Sequence, residues 1–265
     1  MRIAVLQMAA IDGDVGANFN QIASAARAAL AAGAELVVAP ELSLTGYAAA
    51  AADRLSQVAQ TPDSIILAKL AVLAKELGVA IILGFPEQDG TDFFNSAVAI
   101  TRDGERAFYR KCHLYGKLEK ESFRSGSKVS PLITIGDFRV GMLICYDVEF
   151  PEWVRVLALE GADLIAVPTA LPRSDANRRV ATSMISARAL ENGVFVAYAD
   201  LCGQDRLYRY QGLSAIVAPN GEDLARGGAE PCLLIADLDK RRYPADEVDP
   251  YLNDRRPELY GRLRS

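Results

Sequence analysis

Three residues stand where apolar runs stop. Glu41 follows Leu36-Val37-Val38-Ala39-Pro40, Lys111 follows Ala107-Phe108-Tyr109-Arg110, and Cys145 follows Val140-Gly141-Met142-Leu143-Ile144. In a layered α/β fold, residues just beyond the C-terminal ends of strands converge on one rim, where ligands bind. A carboxylate, an ammonium and a thiol on one rim make a coherent nucleophilic site. A free thiol titrates near about 8.5, so only a small fraction is thiolate at neutral pH. A neighbouring lysine and the positive end of a helix beginning near Pro151 would both favour the thiolate. A desolvated glutamate could take the thiol proton, return it to a leaving amine and then activate water. The Lys111 ammonium and the backbone N–H of Tyr146 would form an oxyanion hole over an acyl carbon. These parts describe acyl transfer through a thioester.

Each residue taken singly also has a plainer reading. Glu41 could be a solvated turn residue, Lys111 a solvated charge and Cys145 a small buried hydrophobe. His113, the one histidine, could instead serve Cys145 as base, although no papain-like cysteine signature surrounds it. The acidic residues beside the cysteine (Asp147, Glu149 and Glu152) read as turn and helix-start residues.

Composition removes other classes. A net charge of −5 lacks the clustered basic excess of a nucleic-acid footprint. No run of apolar residues is long enough for a membrane span, and MRIAVLQMAAIDGD reads as a first strand rather than a signal peptide. The four cysteines (Cys112, Cys145, Cys202, Cys232) are widely spaced, which argues against a disulfide framework or structural zinc and for a reducing, cytoplasmic location. A single histidine precludes a histidine-rich metal site, and no metal or cofactor is expected. Sequences of the types GxGxxG, GxxxxGK[ST] and GxSxG are missing.

The elements that must position these residues follow from periodicity and punctuation. Strands are expected at 2–8, 35–39, 79–84, 95–100, 105–110, 132–135, 138–144, 163–167, 194–199, 212–217 and 232–238. Helices are expected at 18–32, from a Thr61-Pro62-Asp63 start to Leu77, at 151–160 and over 177–191. Residues 111–126 read as a polar loop. The chain of 265 residues reads as one large α/β domain over 1–242 with a mixed sheet. An irregular arm over 243–265 would pack on the domain or a partner subunit.

VVAPEL (37–42), RKCHLYG (110–116) and ICYDVEFPE (144–152) resemble, in order, the three motif blocks of the nitrilase superfamily of carbon–nitrogen hydrolases. Residues 166–170 and 187–193 also match, so the resemblance covers nearly the whole chain. It implies a four-layer αββα sandwich, paired across helices into a homodimer or higher homo-oligomer. It also implies a Glu41–Lys111–Cys145 triad acting as base, oxyanion stabiliser and nucleophile, with no catalytic part for His113. A second glutamate belongs after the lysine. Glu119 fits, standing seven residues before Gly126 in an E-K-x-x-F-x-x-G pattern, with Glu121 as the rival.

Within that superfamily the chain looks most like small amidases, with ω-amidases and N-carbamoyl amidohydrolases as neighbours. Typical nitrilases carry tryptophan directly after the cysteine, where this chain has Tyr146. The expected substrate is a small carboxamide, with pocket walls from Tyr47, Tyr115, Tyr146, Thr169 and Ala170. An acyltransferase using the same thioester remains compatible. If Arg173 reaches the pocket an acidic substrate gains ground, and if it faces solvent a neutral amide does.

Overall fold

Alternate residues of the first strand enter two different cores. Ile3 and Val5 join one buried cluster, while Ala4 and Leu6 join the other. The same alternation separates Leu36 and Val38 from Val37, and Ala80 and Ile82 from Ile81 and Leu83. A strand with both faces apolar must be covered twice. The computed structural model, which describes residues 1–51, 54–244 and 251–264, shows how this is done.

The first half of the chain forms β1 (Arg2–Gln7), α1 (Val15–Ala31), β2 (Leu36–Val38), α2 (Tyr47–Ala51), α3 (Leu55–Val58) and α4 (Ile65–Leu77). It continues with β3 (Ala80–Asp89), β4 (Asp92–Ile100) and β5 (Arg106–Arg110). The second half forms α5 (Gly116–Ser122), β6 (Ile133–Ile135), β7 (Phe138–Met142), α6 (Pro151–Leu159) and β8 (Leu164–Thr169). After these come α7 (Asp175–Arg179), α8 (Ile185–Asn192), β9 (Phe195–Asp200), β10 (Ala215–Val217), β11 (Asp223–Arg226) and β12 (Cys232–Asp237).

Two six-stranded mixed sheets result, ordered β12-β1-β2-β3-β4-β5 and β11-β10-β9-β8-β7-β6. They face each other through a shared core in which Ile3, Val38 and Ile82 meet Ile165, Val167 and Val196. Helices α1 and α4 cover the outer face of the first sheet with Ile22, Ala26, Leu67 and Leu70. Helices α6 and α8 cover the second with Val154, Leu157, Ile185 and Ala189. The architecture is therefore the four-layer αββα sandwich. The parallel pairs β1/β2/β3 and β7/β8/β9 send their C-terminal ends to one rim.

Several boundaries differ from the sequence reading for local reasons. Helix α1 begins at Val15, because Asp14 rather than Asn18 accepts the capping bond, from Ala17 N–H at 2.9 Å. The Asn18 amide is instead committed to the Ile11 and Leu44 carbonyls. Thr61-Pro62 forms a turn, and α4 starts only after Ser64. Gly78, in the left-handed region, ends it. Strands β3 and β4 are one long hairpin with a register from Ile81↔Ile100 to Asp89↔Asp92, longer than the expected 79–84 and 95–100. The supposed loop 111–126 contains α5. Leu213 and Gly212 both hold positive φ, so the last strand before the Pro219-Asn220-Gly221 turn spans only β10. The helix expected over 177–191 runs as α7, a π-helical turn at Val180–Met184, and α8.

Of the expected arm, Tyr243 packs its ring on Phe195 at 5.5 Å and Leu252 rests against the buried cluster that the second sheet shares with α6 and α8. Residues 245–250 and 265 of that segment lie outside the described residues. Among the described residues no helix is long and apolar enough to cross a membrane.

Candidate active site

Strand β2 ends at Val38, and Ala39-Pro40 carries the chain to Glu41, which is fully buried. Its position is pinned from three sides. The Glu41 N–H donates to the Thr169 carbonyl of the opposite sheet at 3.3 Å, and Gly84 N–H donates to Pro40 O at 3.0 Å. Leu42 takes φ +48°, a conformation L-residues rarely adopt, which turns the chain away from the strand direction. A Cβ at Gly84 would sit 2.5 Å from Leu42 N and 2.6 Å from Glu41 Cα, so only glycine lets β3 approach this turn.

Strand β5 delivers Lys111, also fully buried. Its ammonium donates to Glu41 Oε1 at 2.7 Å and to Glu119 Oε1 at 2.9 Å. The apparent loop supplies Glu119 because α5 begins there, and Glu121 on the same helix points outward to Lys117. Tyr47 donates its hydroxyl to Glu119 Oε1 at 2.8 Å, and Tyr115 N–H donates to Oε2 at 2.9 Å. Gly126 lies against the Arg110 carbonyl without room for a Cβ, and its N–H donates to Lys111 O at 2.8 Å. That contact explains the glycine of the E-K-x-x-F-x-x-G pattern physically.

Cys145 follows β7 by two residues and opens a 3₁₀ turn, Cys145–Glu149, that runs into α6. Its φ of +47° is a costly conformation for a side-chain-bearing residue, and a network of hydrogen bonds holds it. Asp147 Oδ2 accepts from Ile144 N–H at 3.2 Å and Tyr109 hydroxyl at 2.8 Å. Asp147 Oδ1 accepts from His113 N–H at 2.9 Å and lies 2.7 Å from His113 Nδ1. Trp153 Nε1 donates to Tyr109 Oη at 2.9 Å, closing the network. His113 therefore faces Asp147, with its ring stacked on Phe150 at 4.0 Å.

One ammonium between two buried carboxylates leaves an excess of negative charge. Burial pushes the Glu41 carboxyl up to about 7, with Lys111 pulling it down and Glu119 pushing it further up. For Lys111, burial opposes the charge, but Glu119 and Glu41 outweigh it and hold the ammonium above its usual range. The Cys145 thiol is raised well above its ordinary value, by burial first and then by Glu41, against the opposing pull of Lys111. This corrects the expectation of a favoured thiolate. The lysine acts in the predicted direction, but desolvation and two carboxylates exceed it, and helix α6 starts six residues away. The proton rests on sulfur. Glu41 Oε2, buried and without a hydrogen-bond partner among the described residues, is the open acceptor position, since Oε1 already receives Lys111 and Asn95 Nδ2 (2.6 Å).

The expected wall residues divide. Tyr146 and Tyr115 pack edge to face at 5.2 Å, with Tyr115 exposed at the rim. Tyr47 is buried, its hydroxyl spent on Glu119 and its ring against Tyr208 at 5.9 Å. Thr169 turns its hydroxyl back to the Val167 carbonyl at 3.1 Å and reaches the site through its own carbonyl. Ala170 is buried. Arg173 is exposed and lines a surface cavity of about 510 Å³ with Ser174, Asp175, Arg178 and Gln211, which includes neither Glu41, Lys111 nor Cys145.

Sequence reasoning missed Asn95, Asp200, Tyr208 and Tyr210. Asn95 looked like an ordinary strand residue, although an amide inside an apolar strand is a signal that it must be satisfied. Asp200 ends β9 opposite Thr169 and accepts Leu171 N–H at 2.8 Å, bracing the turn that contains Ala170. Tyr208 and Tyr210 come from a segment with no strand or helix pattern, and only packing brings them to Tyr47.

Residues 2–245 match the family model described as carbon-nitrogen hydrolase. A protein described as "Hydrolase in pqqF 5'region" from Pseudomonas protegens is 39% identical over 269 residues, covering 99% of this chain and 92% of its own. A protein named nitrilase from Pyrococcus abyssi is 34% identical, covering 99% of this chain and 100% of its own. The solved structure of an amidase from Nesterenkonia sp. AN1 superposes with a TM-score of 0.86 at 35% identity, covering 99% of both chains. Structures of a point mutant of that amidase show acrylamide, or the acetamide moiety of fluoroacetamide, joined covalently to its active-site cysteine. By motif order, four-layer architecture and similarity along its length, the chain belongs to the carbon–nitrogen hydrolase family of the nitrilase superfamily and is a cysteine-dependent enzyme of that family.

Proposed function

We propose that the chain hydrolyses the C–N bond of a small carboxamide to a carboxylic acid and ammonia through a thioester on Cys145. The observation that carries this reading is the Lys111 ammonium bound between Glu41 and Glu119, with the second Glu41 oxygen left without a partner among the described residues. Glu41 takes the Cys145 proton as sulfur attacks the carbonyl carbon. The developing oxyanion is met by Lys111 and the Tyr146 N–H. Glu41 then gives the proton to the amine nitrogen, the C–N bond breaks and ammonia departs. Water, deprotonated by Glu41, attacks the thioester; the acid leaves and the thiol is restored. Glu119 positions Lys111 throughout. A thiol that keeps its proton at rest fits this order, because transfer to Glu41 accompanies attack.

An amide whose acyl group is uncharged or cationic suits the site better than an acidic ω-amide or N-carbamoyl acid, because Arg173 lies on the exposed cavity described above. The Pyrococcus relative's name makes nitriles the rival, to which the same thioester chemistry would apply. The test is ammonia release from aliphatic amides, ω-amides, N-carbamoyl acids and nitriles, with intact-mass detection of a Cys145 adduct. Turnover of amides with an acyl mass on Cys145 is expected. Turnover confined to nitriles, or amide turnover that survives Cys145→Ala, would overturn the assignment.

A further inference from the structure

Asp205 ties two distant parts of the chain together, one with each side-chain oxygen. It sits in a tight hairpin over residues 203–210, closed by Asp205 N–H to Tyr208 O and Tyr210 N–H to Gly203 O, both at 2.9 Å. Oδ1 serves that hairpin, accepting Leu207 N–H and Tyr208 N–H at 2.8 Å each. Oδ2 reaches out of it. It accepts Ala48 N–H at 3.2 Å, from 157 residues away along the chain, and the Tyr210 hydroxyl. Burial pushes that hydroxyl well above its usual range and Asp205 pushes it further, so Tyr210 keeps the proton it donates.

Helix α2 needs such a partner. It has only five residues, too few to be stable alone, and its first N–H groups find no acceptor within the helix. Thr45, just before it, turns its hydroxyl to the Leu42 and Gly46 carbonyls instead. Asp205 takes the place of a cap from the other half of the chain. Arg206 secures the same residue from its other side, with Nη2 donating to Ala48 O at 2.9 Å and Nε to Asp12 Oδ2 at 3.1 Å.

What this clamp holds is Tyr47. The Tyr47 hydroxyl donates to Glu119 Oε1 at 2.8 Å, the oxygen that also receives Lys111. Its ring meets Tyr208 at 5.9 Å and Tyr210 at 6.5 Å, and those two meet each other at 6.5 Å, all edge to face. Asp205 therefore bears on Tyr47 by two routes. One is the backbone of the next residue, and the other is the pair of rings whose N–H and O–H it accepts.

We propose that Asp205 is a positioning residue for amide hydrolysis, acting through Tyr47 to keep Glu119 on the Lys111 ammonium. This rests on the amidase reading above and adds to it a residue outside the Glu41–Lys111–Cys145 group.

Asp205→Asn is the selective variant. It keeps the oxygen that serves the hairpin and replaces Oδ2 with an NH2 group, which cannot accept from Ala48 or Tyr210. With a carboxamide that the wild-type enzyme hydrolyses, kcat is expected to fall about fivefold with KM little changed, the size of one lost hydrogen bond. The deciding comparison is with Tyr47→Phe, alone and combined. A residue that acts through Tyr47 has little left to lose once the Tyr47 hydroxyl is gone, so the double variant should match Tyr47→Phe. Losses that multiply in the double variant, a change in KM alone, or a wild-type kcat in Asp205→Asn would each overturn the inference. Melting temperatures show whether each protein folds. Tyr210→Phe, which removes one of the same bonds and keeps the ring, takes the place of Asp205→Asn in the cycle if that variant does not fold. Release of no ammonia from any amide by the wild type overturns the amidase reading, and this inference with it.

Discussion

Lys111 Nζ lies 2.7 Å from Glu41 Oε1, and neither side chain has any solvent exposure. A buried ion pair of this kind is a poor device for stability, because desolvation offsets much of the Coulomb attraction. Its use is positional: it brings a base and an ammonium together beside the turn that carries Cys145. The charge excess of the site follows from that placement together with Glu119.

Glu41 must be ionised to accept the thiol proton. With its carboxyl raised to about 7, kcat/KM should rise with pH up to about 7 and then level off. Glu41→Gln should remove this acidic limb and lower the rate by about 10²–10⁴-fold. A pH–rate profile of both proteins checks it.

The same group sets a stability trend of definite sign. Its carboxyl is raised from the ordinary 4.5 to about 7, so the folded state holds the proton more tightly than the unfolded chain. Stability therefore falls as pH climbs through that window and is flat above it. Glu41→Gln should lack the decline, measured as melting temperature against pH.

Lys111→Met leaves two buried carboxylates without their cation. A loss of about 3–5 kcal/mol is expected, together with loss of acylation. Adding Glu119→Gln should recover part of the stability but none of the activity. Chemical denaturation and a single-turnover acylation assay separate the two effects.

Gly84→Ala should be destabilising by about 2 kcal/mol or more, although the residue touches no substrate. The added methyl meets backbone atoms of Glu41 and Leu42, which cannot move aside as a side chain could. Denaturant midpoints check the stability, and activity should fall with it because the base is displaced.

Tyr47→Phe deletes the hydroxyl bond to Glu119, worth about 1 kcal/mol. If Tyr47 positions Glu119, kcat should fall several-fold with KM little changed. A rise in KM alone would return Tyr47 to the role of a pocket wall.

Much of the site could be read before any fold was known. Glu41, Lys111 and Cys145 each follow an apolar run, and a run that stops at a polar or reactive residue marks a strand delivering that residue to a rim. The strand–helix alternation likewise pointed to a mixed sheet covered by helices, whereas the division of Ile3, Val5, Leu36 and Val38 from their neighbours between two cores emerged only in the fold. Other features were hidden because they depend on residues distant in the chain. Asn95 reaches Glu41 only once β3 and β4 form their long hairpin. Glu119 and Glu121 differ by two positions on one short helix, and packing against Tyr47 and Lys111 separates the buried carboxylate from the exposed one.

The protonation of the thiol shows the division most clearly. Sequence alone determined the residue types, and with them a lysine whose charge favours the thiolate. Only the tertiary structure decided that two carboxylates and complete burial would outweigh that charge. Local spacing records which groups exist and in what order. The dielectric around them, and the number of opposing charges within reach, arise when two sheets close over one another.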